Sequence, residues 1–259
     1  MNNSLIIGDT SQISYYFPNS YDRISSRDIV IDDIKSNRYN RIFILFAEQR
    51  TFLDESQDFF NKINVDYTID IIDKLKDYCN KIVIFSTSEL WNNYTGCVSV
   101  DMEYNYNYTP YIKSKEILCN IINNNRDYYN NIIIIYPFNF NSPYRKEGFL
   151  FSKIFYSILN KSKISVGNIN INRDIIHPSI IVENAISTNI DLLIGCGELI
   201  NIEYFINDMF RLSNLDFNRY VKKSKYNIGS IRSEYFSKIK YSNYKDLLEL
   251  TIKDIINND

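Results

Sequence analysis

Tyr111 and Lys115 stand four residues apart in Tyr111-Ile112-Lys113-Ser114-Lys115. That spacing puts both on one face of a helix, with Pro110 suited to its first turn. A phenol is a poor acid–base group at neutral pH. An ammonium one helical turn away favours the phenolate and makes proton exchange with a hydroxyl feasible. Alone, the pair reads better as two unrelated helix-surface residues, since the chain holds 22 tyrosines. Its position adds to it. The pair follows the apolar run Ile82-Val83-Ile84-Phe85, which ends in Ser86-Thr87-Ser88-Glu89-Leu90-Trp91. Residues at the C-terminal edge of a parallel strand face the crevice where ligands bind. A hydroxyl (Thr87), a carboxylate (Glu89), a phenol (Tyr111) and an ammonium (Lys115) are thus expected to converge on one cleft. Taken singly, Glu89 also reads as a solvated carboxylate at a strand end.

A second candidate site lies near the start, in Gly8-Asp9-Thr10-Ser11-Gln12-Ile13-Ser14. A tight turn after a first strand can lead backbone amides and a helix N-terminus toward a pyrophosphate. The usual signal has three glycines; here Gly8 is followed by Ser11 and Ser14 at the other two positions. Serine is small and can donate a hydrogen bond. The same residues also fit an ordinary strand-to-helix turn capped by serine.

Both candidates depend on strands that hold them. Leu5–Ile7, Arg41–Phe46, Lys81–Phe85, Ile132–Tyr136 and Leu192–Ile194 are short continuous apolar runs, as expected of strands buried on both faces. Between them lie stretches with helical spacing, one from Phe60 to Leu75 and one from Tyr111 to Ile121. Alternation of this kind predicts an α/β fold with a doubly wound, Rossmann-like parallel sheet. Later helices are expected near 149–159, 178–187, 202–215 and 244–256. Residues 1–145 are read as the dinucleotide-binding domain and 146–259 as mainly a small C-terminal substrate-binding lobe. Between Asn19 and Asn40 one fragment stands out, Ser26-Arg27-Asp28-Ile29.

Composition limits the partners. The 259 residues carry 29 basic and 31 acidic side chains, a net charge of −2. That balance offers neither nucleic acid nor an anionic membrane a broad basic face. No apolar run approaches the roughly 20 residues that span a bilayer, and the N-terminus enters a strand with no cleavable leader. Cys79, Cys97, Cys119 and Cys196 stand alone without CxxC pairing and read as reduced thiols of a cytoplasmic protein. No metal site is expected. The abundant Asn, Ile and Tyr fit a codon bias and are given no functional weight. His177, the single histidine, reads as structural, and Trp91 as packing.

The residues around Thr87 and Tyr111 resemble those of the extended short-chain dehydrogenase/reductases, within them the nucleotide-sugar epimerase/dehydratases, and most of all the GDP-mannose 4,6-dehydratase family. Ser86 to Leu90 matches that family's Ser-Thr-Ser-Glu-Leu. Leu45-Phe46-Ala47-Glu48-Gln49 is similar to its Leu-Ala-Ala-Gln-Ser, and Asn64-Val65-Asp66-Tyr67-Thr68 to its Asn-Val-x-Gly-Thr. Pro137 to Pro143 with Arg145 resembles Phe-Asn-His-Glu-Ser-Pro-Arg-Arg. Gly167-Asn168 through Arg173-Asp174 resembles Gly-Asn-Leu-Asp-Ala-Lys-Arg-Asp. Asn201 to Phe205, Leu215 to Phe217 and Tyr220-Val221 resemble a late helix and its exit. The blocks keep the family's order over nearly the whole chain.

The resemblance implies a function and a role for each residue. The expected activity is an NAD- or NADP-dependent nucleotide-sugar 4,6-dehydratase acting on a nucleotide-diphosphate sugar. Tyr111 would take the proton of the sugar 4-hydroxyl, and Lys115 would hold the nicotinamide ribose and keep Tyr111 acidic. Glu89 would remove the C5 proton and help expel the 6-hydroxyl, and Thr87 would hydrogen-bond the 4-oxygen. Gly8, Thr10, Ser11, Gln12, Ile13, Asp28, Ile29, Phe46, Ala47 and Phe138 would line the cofactor. Gln49, Asn139, Lys153, Asn168 and Arg173 would contact the substrate, with Arg232 a loose match to a further arginine. Relatives dimerise through two helices, a face that 64–78 and the Tyr111 helix could supply. Two other readings stand beside this one. The same Tyr/Lys pair serves a 4-ketoreductase or epimerase, which needs no carboxylate for elimination. The missing glycines suit a non-catalytic relative that binds a sugar nucleotide or a protein.

Overall fold

Continuous Ile, Val and Phe runs become strands because β-branched and aromatic side chains pack well when a pleated surface is covered on both faces. The computed structural model describes residues 3–51, 54–145, 148–224 and 233–258; Arg232 lies outside them. The chain opens with β1 (Ser4–Ile7) and β2 (Asp22–Ile24), followed by α1 (Ile31–Asn37) and β3 (Arg41–Ile44). Next come α2 (Gln57–Asn61), a π-helical segment (Lys62–Tyr67) and α3 (Thr68–Leu75). They lead to β4 (Lys81–Phe85), a 3-10 turn (Ser88–Trp91), β5 (Gly96–Val98), α4 (Pro110–Asn123) and β6 (Ile132–Pro137).

The remaining elements are β7 (Asn139–Phe140), α5 (Leu150–Asn160), β8 (Ile164–Val166), β9 (Asn172–Arg173), β10 (Ile175–Ile176), α6 (Pro178–Ser187) and β11 (Leu192–Ile194). They continue with β12 (Ile200–Asn201), α7 (Ile202–Leu212), α8 (Phe217–Tyr220), β13 (Val221–Lys223), β14 (Tyr235–Ser237) and α9 (Tyr244–Asn257).

Six strands form one sheet in the order β11-β6-β4-β3-β1-β2. β1 pairs in parallel with β2 on one side and β3 on the other, and β4 with β3 and β6. The chain thus reverses direction across the sheet at β1, the kind of switch point where α/β proteins bind ligands beyond the strand ends. This is the α/β, Rossmann-like architecture that the sequence predicts. Ile6, Ile42, Phe43, Ile82, Val83, Ile134 and Ile135 are fully buried.

Two features differ from the sequence reading. An edge strand, β2, lies where only a loop fragment was expected; its Asp-Arg-Ile sequence has no apolar run to mark it. And no α-helix follows β1. The fourteen residues Gly8–Tyr21 hold only turns and the 3-10 helix Ser14–Tyr16, although a parallel crossover usually contains a helix.

The chain divides into two compact units. The first comprises residues 1–91, 103–136 and 182–192, and the second 92–102, 137–181 and 193–259. In the second, Ile154 and Phe155 of α5, Phe205, Met209 and Phe210 of α7 and Leu247 of α9 share one apolar core. Among the described residues no helix is long and apolar enough to cross a membrane.

Candidate active site

The end of β4 is shaped by its own side chains. Ser86 N donates to Ile135 O at 2.8 Å, carrying the sheet one residue past the strand. The Thr87 hydroxyl then accepts from Glu89 N at 3.2 Å and turns the chain into the 3-10 segment. Thr87 is buried and Glu89 half-buried. Leu90 and Trp91 are fully buried, with the Trp91 indole edge-on to Tyr104 and Tyr136. Trp91 therefore packs, as expected.

The helix α4 begins where its sequence dictates. The Thr109 hydroxyl caps it by accepting from Ile112 N at 3.1 Å, and Pro110 fills the first turn. Tyr111 and Lys115 follow one turn apart. Tyr111 is half-buried and meets the Phe60 ring edge-on at 6.3 Å. Lys115 is buried, 3% exposed, and its Nζ donates to the carbonyl of Phe85 at 2.9 Å. This bond ties α4 to the strand end that carries Thr87 and Glu89, so all four expected catalytic residues stand on two joined elements of the first unit. Burial lowers the Lys115 ammonium to about 8.

Asn64 belongs to the Asn64-Val65-Asp66-Tyr67-Thr68 resemblance, which gives it no role. It sits in the π-helical segment, 1% exposed, and uses its whole amide. Its Oδ1 accepts from Glu48 N at 2.8 Å; its Nδ2 donates to Glu48 O at 3.1 Å and to the Ser114 hydroxyl at 3.0 Å. It thereby locks the segment after β3 onto α4 between Tyr111 and Lys115. Buried Glu48 also accepts two bonds from the Arg50 guanidinium, which hold its carboxyl below the usual range. No periodicity or motif spacing could show a network that joins residues up to 66 positions apart.

The first turn is built around Gly8, whose φ is +103° and whose added Cβ would lie 2.9 Å from the amide nitrogen of Phe46. Gly8 N and Asp9 N both donate to Ile24 O, Ser11 N to Gly8 O and Ser14 N to Ser11 O. Thr10, Gln12 and Ile13 keep amides with no acceptor among the described residues. Asp9 Oδ1 and Gln12 Oε1 are buried acceptors without a donor among the described residues. Amide donors for phosphate beside acceptors for ribose hydroxyls suit a dinucleotide. The helix N-terminus expected at this turn is absent, because the chain continues as turns.

The other expected cofactor contacts of this unit lie in the loops that follow β1, β2 and β3. Thr10 and Asp28 are exposed, Ser11, Gln12, Ile29, Phe46 and Ala47 half-buried, and Ile13 buried in the core; Gln49 is exposed. The Phe46 ring lies 5.3 Å from that of Tyr67, whose hydroxyl donates to Ser26 O at 2.5 Å. Tyr67 was not among the expected residues.

The remaining expected residues belong to the second unit. Phe138 is 2% exposed, its ring 5.3 Å from Tyr235. Asn139, Lys153 and Asn168 are exposed, and half-buried Arg173 donates to Asn172 O at 2.6 Å. Next to it, Asp174 accepts from Cys196 N, Gly197 N and Ser237 N at 2.6, 3.1 and 2.9 Å. His177 is 2% exposed and bonded through Nδ1 to Ser179 and through Nε2 to Asp254.

A family model described as GDP-mannose 4,6 dehydratase matches residues 47–246. No curated protein sequence matches the chain. Among solved structures, UDP-N-acetylglucosamine 4-epimerase from Methanobrevibacter ruminantium M1, in complex with UDP-N-acetylmuramic acid, is 16% identical with a TM-score of 0.79, over 100% of this chain and 99% of that one. dTDP-glucose 4,6-dehydratase from Bacillus anthracis, in complex with NAD, is 16% identical with a TM-score of 0.77, over 100% and 97%. RMD from Pseudomonas aeruginosa, complexed with NADPH, is 10% identical with a TM-score of 0.77, over 99% and 98%. At these identities the likeness establishes the fold.

Proposed function

The chain belongs to the GDP-mannose 4,6-dehydratase family of extended short-chain dehydrogenase/reductases, and from that premise we propose that it is an NAD(P)-dependent sugar-nucleotide 4,6-dehydratase. The observation that carries this reading is the Lys115–Phe85 bond, which joins the Tyr111/Lys115 helix to the strand end bearing Thr87 and Glu89. When bound, the nicotinamide supplies a reversible hydride acceptor. Tyr111 takes the proton of the sugar 4-hydroxyl, and the Lys115 charge favours its phenolate. Thr87 donates a hydrogen bond to the 4-oxygen. The resulting ketone acidifies the C5 hydrogen; Glu89 removes that proton and returns it to the 6-hydroxyl, which leaves as water, and the hydride that a bound nicotinamide would take from C4 would return to C6. Thr10, Ser11, Gln12 and Ile13 hold the cofactor's phosphates and ribose, with Gly8 opening the turn. Asp28, Ile29, Phe46, Ala47 and Phe138 complete the cofactor contacts. Gln49, Asn139, Lys153, Asn168 and Arg173 contact the nucleotide-diphosphate sugar.

Mass spectrometry of the products tests this reading. Purified protein is incubated with NAD or NADP and a panel of UDP-, dTDP- and GDP-hexoses. A product lighter by one water, lost with Glu89→Gln and with Tyr111→Phe, is the expected result. An isomer of unchanged mass that survives Glu89→Gln replaces the dehydratase by an epimerase. Absence of both turnover and dinucleotide binding overturns the enzymatic reading.

A further inference from the structure

The charge that the chemistry above asks of Lys115 is seated on one carbonyl, and that carbonyl is itself held. Resting on that reading of Lys115, we propose that Cys119 and Ser86 are positioning residues of this site. Together they fix the Phe85 carbonyl to which the Lys115 ammonium donates.

A carbonyl and the amide that follows it share one rigid plane. The Phe85 carbonyl and the Ser86 N–H are such a pair, and Ser86 N donates to Ile135 O at 2.8 Å. A single bond leaves the plane free to swivel about that bond. The second attachment comes from α4, where the Cys119 thiol donates to the Ser86 hydroxyl at 3.2 Å. Lys115 and Cys119 are four residues apart, one above the other on the same helix face. Consecutive turns of α4 therefore grip consecutive residues of the strand end, Lys115 at Phe85 O and Cys119 at Ser86. Without the thiol, the carbonyl can turn away from the ammonium.

The surroundings keep the thiol in the form that donates. Cys119 is fully buried and Ser86 is 6% exposed. Burial pushes the thiol up, so it stays protonated. The hydroxyls of Tyr104 and Tyr136, which share a hydrogen bond at 2.9 Å, also meet it. The Trp91 indole stands edge-on to both rings. An enclosed, protonated thiol is a poor nucleophile, which leaves hydrogen bonding as its contribution.

A bond from the ammonium to a carbonyl favours the charged amine, so loosening it should lower the pH at which Lys115 titrates. NMR titration of protein labelled with 13C-lysine, without cofactor or substrate, reads this directly, and Lys115→Met assigns the resonance. We expect a native midpoint of about 8. It should fall by about half a unit to one unit in Cys119→Ala and in Ser86→Ala. Combining the two should add nothing further, since both remove the same bond. Cys119→Ser restores a donor that does not ionise in this range, and should return the midpoint to its native value.

Turnover should follow the titration. In either alanine variant kcat at pH 7 should fall about tenfold, with KM for the sugar nucleotide near native. An unchanged midpoint in both folded alanine variants, or no recovery in Cys119→Ser, overturns the inference. A native protein that converts no sugar nucleotide, yet whose Lys115 midpoint falls in Cys119→Ala, overturns the dehydratase reading and leaves the tie standing.

Discussion

The Nζ of Lys115 lies 2.9 Å from the carbonyl oxygen of Phe85, the last residue of β4. One bond thus fixes both the distance between a helix and a strand and the place of a buried charge. Burial lowers this ammonium to about 8, so the fold holds the charge at a cost. The unfolded chain binds the extra proton up to about pH 10, where a free lysine titrates. The penalty is therefore complete below about pH 8, about 3 kcal/mol, and fades as pH rises toward 10. Lys115→Met should abolish activity yet raise the melting temperature at pH 7, with the gain shrinking by pH 10. A lower melting temperature at pH 7 would sink this account. In the native enzyme, kcat/KM should fall above about pH 8 as Lys115 loses its charge.

Gly8 cannot be replaced at small cost. Its φ of +103° disfavours any side chain, and a Cβ would press on the backbone of Phe46 at 2.9 Å. Gly8→Ala should lose about 2 kcal/mol or more, read as a lower urea midpoint with an unchanged slope.

Asn64 donates twice and accepts once, with partners in the loop after β3 and in α4. Asn64→Ala should cost about 2–4 kcal/mol, since Glu48 N, Glu48 O and Ser114 lose their partner together. Asn64→Asp preserves shape but cannot donate. If denaturant unfolding finds the Asp variant as stable as the native protein, the two donated bonds carry no weight.

Asp174 is raised to about 7 by burial, against the pull of three backbone amides that favour its charge. A group whose folded value is raised contributes most below its unfolded value, here about 4, and that contribution is lost as pH rises through about 7. Asp174→Asn should remove this pH dependence from thermal melts taken between pH 4 and 8. At pH 8 it should also cost about 1–3 kcal/mol, because its amide group meets backbone donors where an acceptor stood.

The long apolar strands were legible because burial on both faces leaves a continuous run, as in Lys81–Phe85 and Ile132–Pro137. The Tyr111 helix was legible because Thr109, Pro110 and the four-residue spacing are local signals. β2 was not, since a three-residue edge strand with Asp22 and Arg23 satisfies no pattern. The missing first helix was hidden for the opposite reason: the motif invites one, and only the tertiary bonds of Gly8 and Asp9 to Ile24 show that the chain does without it. At the candidate site, residue types and spacing pointed to Tyr111, Lys115 and Glu89. The partner of Lys115 is a backbone carbonyl, and the partners of Asn64 are a backbone and a hydroxyl, groups that every sequence contains.

Arg23 reaches from β2 to the carbonyls of Ser14, Phe17 and Pro18, at 2.7, 3.0 and 3.4 Å. In a crossover with a helix, those carbonyls would be held by a ladder of amides that opens cooperatively. Here two isolated turn bonds, Phe17 N to Ser14 O and Tyr21 N to Pro18 O, and one guanidinium do that fastening at the sheet's outer edge. The border of the molecule nearest the first turn can therefore open as its own small unit, with amide protons that exchange ahead of those in β1 and β3. A ligand seated at that turn slows the exchange in proportion to its occupancy, so the edge strand reports binding before any chemistry takes place.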